Sequence, residues 1–335
     1  MTCVTLKYGK SCYSGDVLKT ISTKGDKMRV KKFGTAFLCI LAVGTLASCG
    51  SKTKEGTKTN EKGKLVVQFV PTNNDGTMEA KTKPFGDYLS KALGREVSIT
   101  LATDYSTIVE AMASKQVDIG IMPPAAYVQA RDMKAAEAIL TSQLGDTDLK
   151  TGLPIEGKLT NTFKGEVLVK SDSTMKELTD LKGKKIATLS PNSASGYIYP
   201  VAELKDAGVD PTTQASLTTV NDIPSEMTSV LNGQMDAAFV FEGARNVFGK
   251  AFPNNNLFKD LKVLYLTKGD IPNDAIAVQP TMNAKLKEQV KAAFLRMKDD
   301  EKGVEAMKIW SHKGYEVAAD KAYDTVRDYT KKAAK

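Results

Sequence analysis

Residues 184–200 read KKIATLSPNSASGYIYP: an apolar strand, a Pro-Asn-Ser break, and the start of a helix at Ser195-Gly196. Strand, short polar turn and helix start form the unit from which open parallel sheets are built. A helix start leaves backbone N–H groups without intrahelical partners and carries partial positive charge, so it receives anions. Ser193 and Ser195 add hydroxyl donors at this point, and Gly196 permits close backbone approach. The same residues also fit a plain cap, in which Ser195 only closes its own helix.

The unit is repeated on both sides of this stretch. Residues 65–70 (LVVQFV) read as a short strand ended by Pro71 and the turn Asn73-Asn74-Asp75-Gly76. A helix is predicted over 78–93, with Phe85, Tyr88, Leu89 and Leu93 on one face and Gly94 closing it. A strand at 97–101, a helix at 106–114 and a buried strand at 117–122 (VDIGIM) follow, and Pro123-Pro124 opens a helix over 125–133. The pattern then restarts. Strands are predicted at 166–170, 184–189, 235–241 (MDAAFVF), 263–266 and 275–278, and helices over 175–181, 195–207 and 223–231. The tail, 283–300 and 303–332, reads as helical, with His312 on its surface. VDIG at 117–120 and MDAAF at 235–239 each follow a helix and a polar turn, which suits two lobes of one architecture. The expectation is an α/β chain of two lobes, 65–165 with 275–335 and 166–274. Each would be an open, mostly parallel sheet flanked by helices.

The amino-terminal part reads as a targeting segment. Arg29, Lys31 and Lys32 precede an uncharged, mostly apolar run of 14 residues, 33–46. A bilayer span needs about 20. The run ends in Leu46-Ala47-Ser48-Cys49-Gly50, which resembles the lipobox of bacterial lipoproteins. By that resemblance Cys49 carries the diacylglycerol and becomes the new amino terminus. Residues 1–27 lack the pattern of a signal peptide, so Met28 is the expected start and 1–48 the leader. Residues 49–64 comprise the lipidated cysteine and SKTKEGTKTNEKGK, which holds no apolar residue and is expected to be a flexible tether.

Composition changes once the leader is set aside. The whole chain is +8, but residues 1–48 hold eight basic and two acidic residues, leaving 39 against 37, or +2. That balance gives no argument for nucleic acid. Cys3, Cys12, Cys39 and Cys49 all lie at or before the cleavage point, so no disulfide is expected beyond it. The remaining 287 residues suffice for two domains with cores of ordinary size.

Ser193-Ala194-Ser195-Gly196-Tyr197-Ile198-Tyr199-Pro200 resembles the Ser-Thr-Ser-Gly-Tyr segment of the phosphonate-binding proteins of ABC importers. Asp104-Tyr105-Ser106 with 108–112 and 117–119 is similar to that family's first-lobe tyrosine motif. Residues 180–187 and 232–238 match its second lobe. The resemblance runs collinearly over about 65–302. It implies a type II periplasmic-binding-protein-like fold with the ligand in the cleft between lobes. It further implies that Ser193, Ala194, Ser195 and Gly196 hold phosphoryl oxygens, and that Tyr105 adds its hydroxyl from the other lobe. By order, Glu242 and Asp274 fall where the family's acidic residues bind a ligand amino group. Three departures stand out: Ala194 replaces a hydroxyl residue, Phe163 stands where a tyrosine is often seen, and the family's pocket histidine has no counterpart. They leave phosphite, methylphosphonate or another small oxyanion open beside aminoalkyl-phosphonates. Tyr127, Trp310 and the methionines read as core.

An enzyme finds little support. The sequence has no HExxH, Gly-x-Ser-x-Gly, P-loop or Gly-x-Gly-x-x-Gly, and only one histidine. No catalytic residue, cofactor or metal is expected. The expected partners are a small anionic ligand, the permease and ATPase subunits of the importer, and the membrane through the lipid. The chain is expected to work as a monomer on the outer face of a Gram-positive-type cell membrane. A receptor for a sulfonate, metal complex or pyrimidine, and a sensor domain, remain open at this level.

Overall fold

The computed structural model describes residues 63–70 and 78–335. The leader, Cys49 and most of the tether lie outside the described residues. Among those described, no helix is long and apolar enough to cross a membrane.

The first half of the chain builds β1 (Leu65–Phe69), α1 (Met78–Leu93), β2 (Val97–Leu101), α2 (Tyr105–Ala113), β3 (Ile119–Met122) and α3 (Pro124–Asp132). A long hairpin follows, β4 (Glu137–Asp148) and β5 (Leu153–Thr160), then the short β6 (Thr162–Phe163). The middle comprises β7 (Gly165–Lys170), β8 (Lys185–Thr188), α4 (Tyr199–Asp206), α5 (Pro211–Gln214) and β9 (Ser216–Thr219). It continues with α6 (Ile223–Leu231), β10 (Ala237–Phe241), α7 (Ala244–Val247), α8 (Leu257–Asp260) and β11 (Leu261–Leu266). The chain returns through β12 (Ile271–Pro272) and β13 (Ala275–Val278), and ends in α9 (Ala284–Leu295), α10 (Glu301–Met307), β14 (Gly314–Val317) and α11 (Asp324–Ala334).

The strands form a seven-stranded sheet, ordered β14-β4-β13-β3-β1-β2 with β5 beside β4, and a five-stranded sheet, ordered β11-β7-β10-β8-β9. β6 and β12 pair as a small antiparallel ribbon between them in sequence. In both sheets parallel pairing is confined to three strands, β2-β1-β3 and β9-β8-β10. The other pairings are antiparallel, so the expected mostly parallel sheets are in fact mixed. The reason is where the chain enters. Strands reached through a helix crossover end at the cavity described below, whereas β7 and β13 start there because the chain arrives from the other sheet.

Burial on both faces explains the apolar runs of the central strands. Val167 and Val169 of β7 pack with Ile186, Leu204 and Phe239, while Leu168 points to the opposite cluster with Met227, Val230 and Val240. In the seven-stranded sheet Ile276 and Val278 face Phe69, Phe85 and Phe294, and Ala275 and Ala277 face Ile108, Met112 and Tyr127.

The echo between 117–120 and 235–239 has a structural cause. Asp118 accepts the N–H of Val66 at 2.8 Å, and Asp236 accepts that of Lys185 at 2.8 Å. Each carboxylate thereby pins the start of the neighbouring parallel strand. The turn before each strand passes through a left-handed residue, Lys115 at φ 60° and Gly233 at φ 70°.

Two parts of the tail differ from a continuous helix. Ser311, left-handed at φ 59°, stops the turn at Trp310, and the chain becomes edge strand β14. α11 then packs against both α3 and α4. Tyr329 of α11 stacks on Tyr199 at 3.9 Å, and its hydroxyl donates to Glu203 at 2.9 Å. Glu203, buried, also accepts from Tyr265 and from the N–H groups of Lys268 and Gly269. The 175–181 helix shrinks to one 3-10 turn, Leu178–Leu181.

Candidate functional site

A cavity of about 970 Å³ opens at the carboxyl ends of the parallel strands, the usual ligand position in open α/β sheets. Four helix starts reach its wall: Asp104-Tyr105 of α2, Pro123-Pro124 of α3, Ala194-Ser195 ahead of α4, and Asp222-Ile223 of α6. Each adds partial positive charge, and all but the Pro123-Pro124 start also bring backbone N–H groups without intrahelical partners to the wall. Their convergence makes the cavity suited to an anion. The carboxylates of Asp104 and Asp222 occupy part of that capacity as caps, each accepting an N–H at 2.8 Å.

The segment after β8 does not begin with a regular α-turn. Ser193 is the cap: its Oγ accepts the N–H of Gly196 at 3.1 Å, and a wide π-type turn, Ala194–Ile198, leads into α4. The capping residue is therefore Ser193 rather than Ser195. Ser193, Ala194 and Ser195 are buried and line the cavity. Gly196 sits behind them, outside the cavity wall. A Cβ on Gly196 would approach the Leu189 side chain to 2.8 Å, so glycine serves the contact between helix start and strand end. Its N–H is already engaged by Ser193.

Tyr105 opens α2 and lines the cavity, as Ser193 does. Burial pushes its phenol above the usual range, so it remains neutral and able to donate. Phe163 also lines the wall. Tyr127 does not: it is buried against Tyr323, and its hydroxyl donates to Asp320 at 2.5 Å.

Glu242 follows β10 and lines the cavity, with its N–H donating to Lys164 O at 2.9 Å. Burial, aided by Asp146 and Glu166, lifts its carboxyl to about 7, and its Oε2 has no hydrogen-bond partner among the described residues. Asp274 stands at the start of β13, where its backbone carbonyl accepts Ser142 N–H at 2.9 Å. Its side chain is partly exposed into the cavity.

The structure overturns the reading of His312 as a helix-surface residue. His312 is 5% exposed and lines the cavity. Its Nδ1 lies 3.2 Å from the Tyr315 hydroxyl, its Nε2 lies 3.6 Å from Asp274 Oδ2, and its ring lies along Trp310. The left-handed turn at Ser311 delivers it there. Ser-His-Lys-Gly followed by the alternation Tyr315-Glu316-Val317 was the available signal for a turn and strand. Ser142 and Asn273 were also missed. Both are 1% exposed and line the cavity, and Ser142 Oγ and Asn273 Oδ1 lack partners among the described residues. Trp310 is core, as expected, packing on Phe69 and Phe85, and it also reaches the cavity. Among the described residues no group of His, Cys, Asp and Glu is arranged to hold a metal.

Residues 67–323 match the family model described as the periplasmic substrate-binding protein of the phosphonate ABC transporter. The chain is 27% identical over 219 residues to the phosphate-import protein PhnD of Mycolicibacterium smegmatis, covering 63% of this chain and 65% of that protein. The aligned stretch thus spans just under two thirds of that relative. Among solved structures, the binding-protein component of a phosphonate ABC transporter from Pseudomonas aeruginosa aligns at TM-score 0.67 and 18% identity, over 82% of this chain and 88% of that one. PhnD1 from Prochlorococcus marinus, solved with methylphosphonate, aligns at 0.63 and 20% identity, over 82% and 99%. These similarities bear out the expected type II periplasmic-binding-protein-like fold.

Proposed function

The chain belongs to the periplasmic substrate-binding proteins of phosphonate ABC transporters, a family of transport proteins rather than enzymes, and from that premise we propose that it is the lipid-anchored receptor of an importer for a small phosphorus oxyanion. The supporting observation is the convergence of four helix starts on one cavity, with Tyr105 and Ser193 both on its wall. Ser193, Ser195 and the first N–H groups of the turn hold the phosphoryl oxygens, and Tyr105 completes the shell from the opposite sheet. Segments 65–165 with 275–335 and 166–274 act as two lobes, hinged where the chain passes between the sheets. The loaded receptor delivers its ligand to a permease driven by an ATPase. Cys49 carries the lipid that keeps it at the outer face of the membrane.

Calorimetric titration of the purified protein with phosphite, methylphosphonate, 2-aminoethylphosphonate, phosphate and sulfate tests the reading. Binding of a phosphorus oxyanion, lost on Ser195→Ala, supports it. Binding of none of them, with Ser195→Ala silent toward whatever ligand co-purifies, overturns it.

A further inference from the structure

Five acidic residues line a cavity whose helix starts favour an anion: Asp104 and Asp222 cap their helices, Glu305 pairs with Lys308, and Glu242 and Asp274 remain. An ionised carboxylate beside a bound oxyanion is repulsive unless a positive or hydrogen-donating group offsets it. A ligand ammonium is one such group. The structure contains another. His312 is buried, its Nε2 stands 3.6 Å from Asp274 Oδ2, and its ring is held by Trp310 and by the Tyr315 hydroxyl on Nδ1. With Nδ1 engaged by tyrosine, Nε2 is the nitrogen left to face Asp274.

We propose that His312 is a specificity-determining residue: its Nε2, facing Asp274 Oδ2 at 3.6 Å, occupies the place at that carboxylate which a ligand's cationic substituent would take, so the cavity prefers a phosphorus oxyanion whose substituent is neutral. This rests on the oxyanion reading of the same cavity. Other groups on the wall agree with it. Glu242, lifted to about 7 by burial, carries less negative charge near neutral pH than an exposed carboxylate and exerts a weaker demand for a cation. Ser142 Oγ and Asn273 Oδ1, next to Asp274 in the wall and lacking partners among the described residues, suit a hydroxyl or a water molecule. An ammonium entering here meets Asp274 already faced by His312, and Lys313 also borders the cavity.

The test compares 2-hydroxyethylphosphonate with 2-aminoethylphosphonate, which differ by one neutral or charged group, using methylphosphonate as reference. Calorimetry on the purified full-length protein is expected to give at least tenfold tighter binding of the hydroxyl compound. His312→Gln should shift that ratio at least tenfold toward the amine, with a circular dichroism spectrum and melting curve reporting that the variant is folded. Asp274→Asn, at a partly exposed side chain, should widen the preference for the hydroxyl compound, because it removes the acceptor and leaves His312. Wild-type preference for 2-aminoethylphosphonate, or an unchanged ratio in His312→Gln, overturns the inference while the oxyanion reading stands. If methylphosphonate and both test compounds fail to bind the folded wild-type protein, the oxyanion reading falls and this inference with it.

Discussion

Tyr105, the first residue of α2, and Ser193, the cap of the wide turn that leads into α4, line the same cavity, and Ser193 offsets part of the rise that burial imposes on the Tyr105 phenol. Two hydroxyl residues thus reach one cavity from helix starts that belong to different sheets. The two residues are 88 positions apart, and both face the cavity. A ligand bound between those helix starts would therefore be within reach of hydroxyls from both sheets.

Tyr105→Phe removes one hydroxyl donor to the oxyanion. A hydrogen bond to a charged group contributes about 1.5–3 kcal/mol, so ligand affinity should fall about ten- to a hundredfold. Thermal stability should change little, because the ring keeps its packing. Calorimetric titration beside a melting curve checks both halves of the expectation.

The two serines should separate. Ser195→Ala is expected to weaken oxyanion binding by about one to two decades, as charge-assisted hydrogen bonds contribute about 1.5–3 kcal/mol. Its melting temperature should stay near that of the parent. Ser193→Ala also removes the cap on Gly196, and loss of a cap costs about 1 kcal/mol of stability. A serine pair that behaves identically in both assays would contradict this division of labour.

Gly196→Ala tests whether the glycine serves the fold. The added methyl would approach Leu189 Cβ and Cγ to 2.8 Å, on a strand end that cannot withdraw freely. Overpacking of this kind costs about 1–3 kcal/mol. The expected result is a lowered denaturation midpoint, with ligand affinity reduced only as far as the turn shifts.

Buried carboxyls set a direction for pH. Glu242 and Glu166 are each raised from 4.5 to about 7 by burial, and burial raises Glu226 further. A carboxyl whose folded value exceeds its unfolded one keeps a proton that the unfolded chain has already released. Its stabilising contribution is complete below about 4.5, declines as pH rises toward about 7, and is absent above that. Stability should therefore fall between pH 5 and pH 8. Glu242→Gln, which cannot ionise, should flatten the decline by up to about 3 kcal/mol. Urea midpoints across that range, in parent and variant, measure it.

Anchoring is tested apart from binding. Cys49→Ala should move the protein from the membrane fraction to the soluble fraction, with ligand affinity unchanged. Persistent membrane retention would remove the lipobox reading.

Much of the site could be read from the chain because its signals are local. The strand-turn-helix of 184–200 needs only its own residues, and Asp118 and Asp236 repeat one local device in both sheets. The same holds for Tyr105 at a helix start. Local reading failed where a single backbone angle decided the path. Ser311 adopts φ 59°, breaks the expected tail helix, and turns His312 inward. It also failed for the hairpin of β4 and β5, whose pairing is a long-range register.

Helix starts, strand runs and the order of elements follow from residue type and spacing, since hydrophobic period and capping act within a few residues of chain. The sequence therefore determined that this is a strand-helix chain with a polar helix start at Ser193-Ala194-Ser195. Strand direction was a tertiary decision, because β7 and β13 run opposite to their neighbours only once the chain has crossed from the other sheet. So was the meeting of Asp274 with His312, 38 positions apart, across strand β13 and the left-handed turn before β14. Which donors and acceptors share one cavity depends on where separate segments converge, and that convergence is set by packing of both sheets rather than by neighbours in sequence.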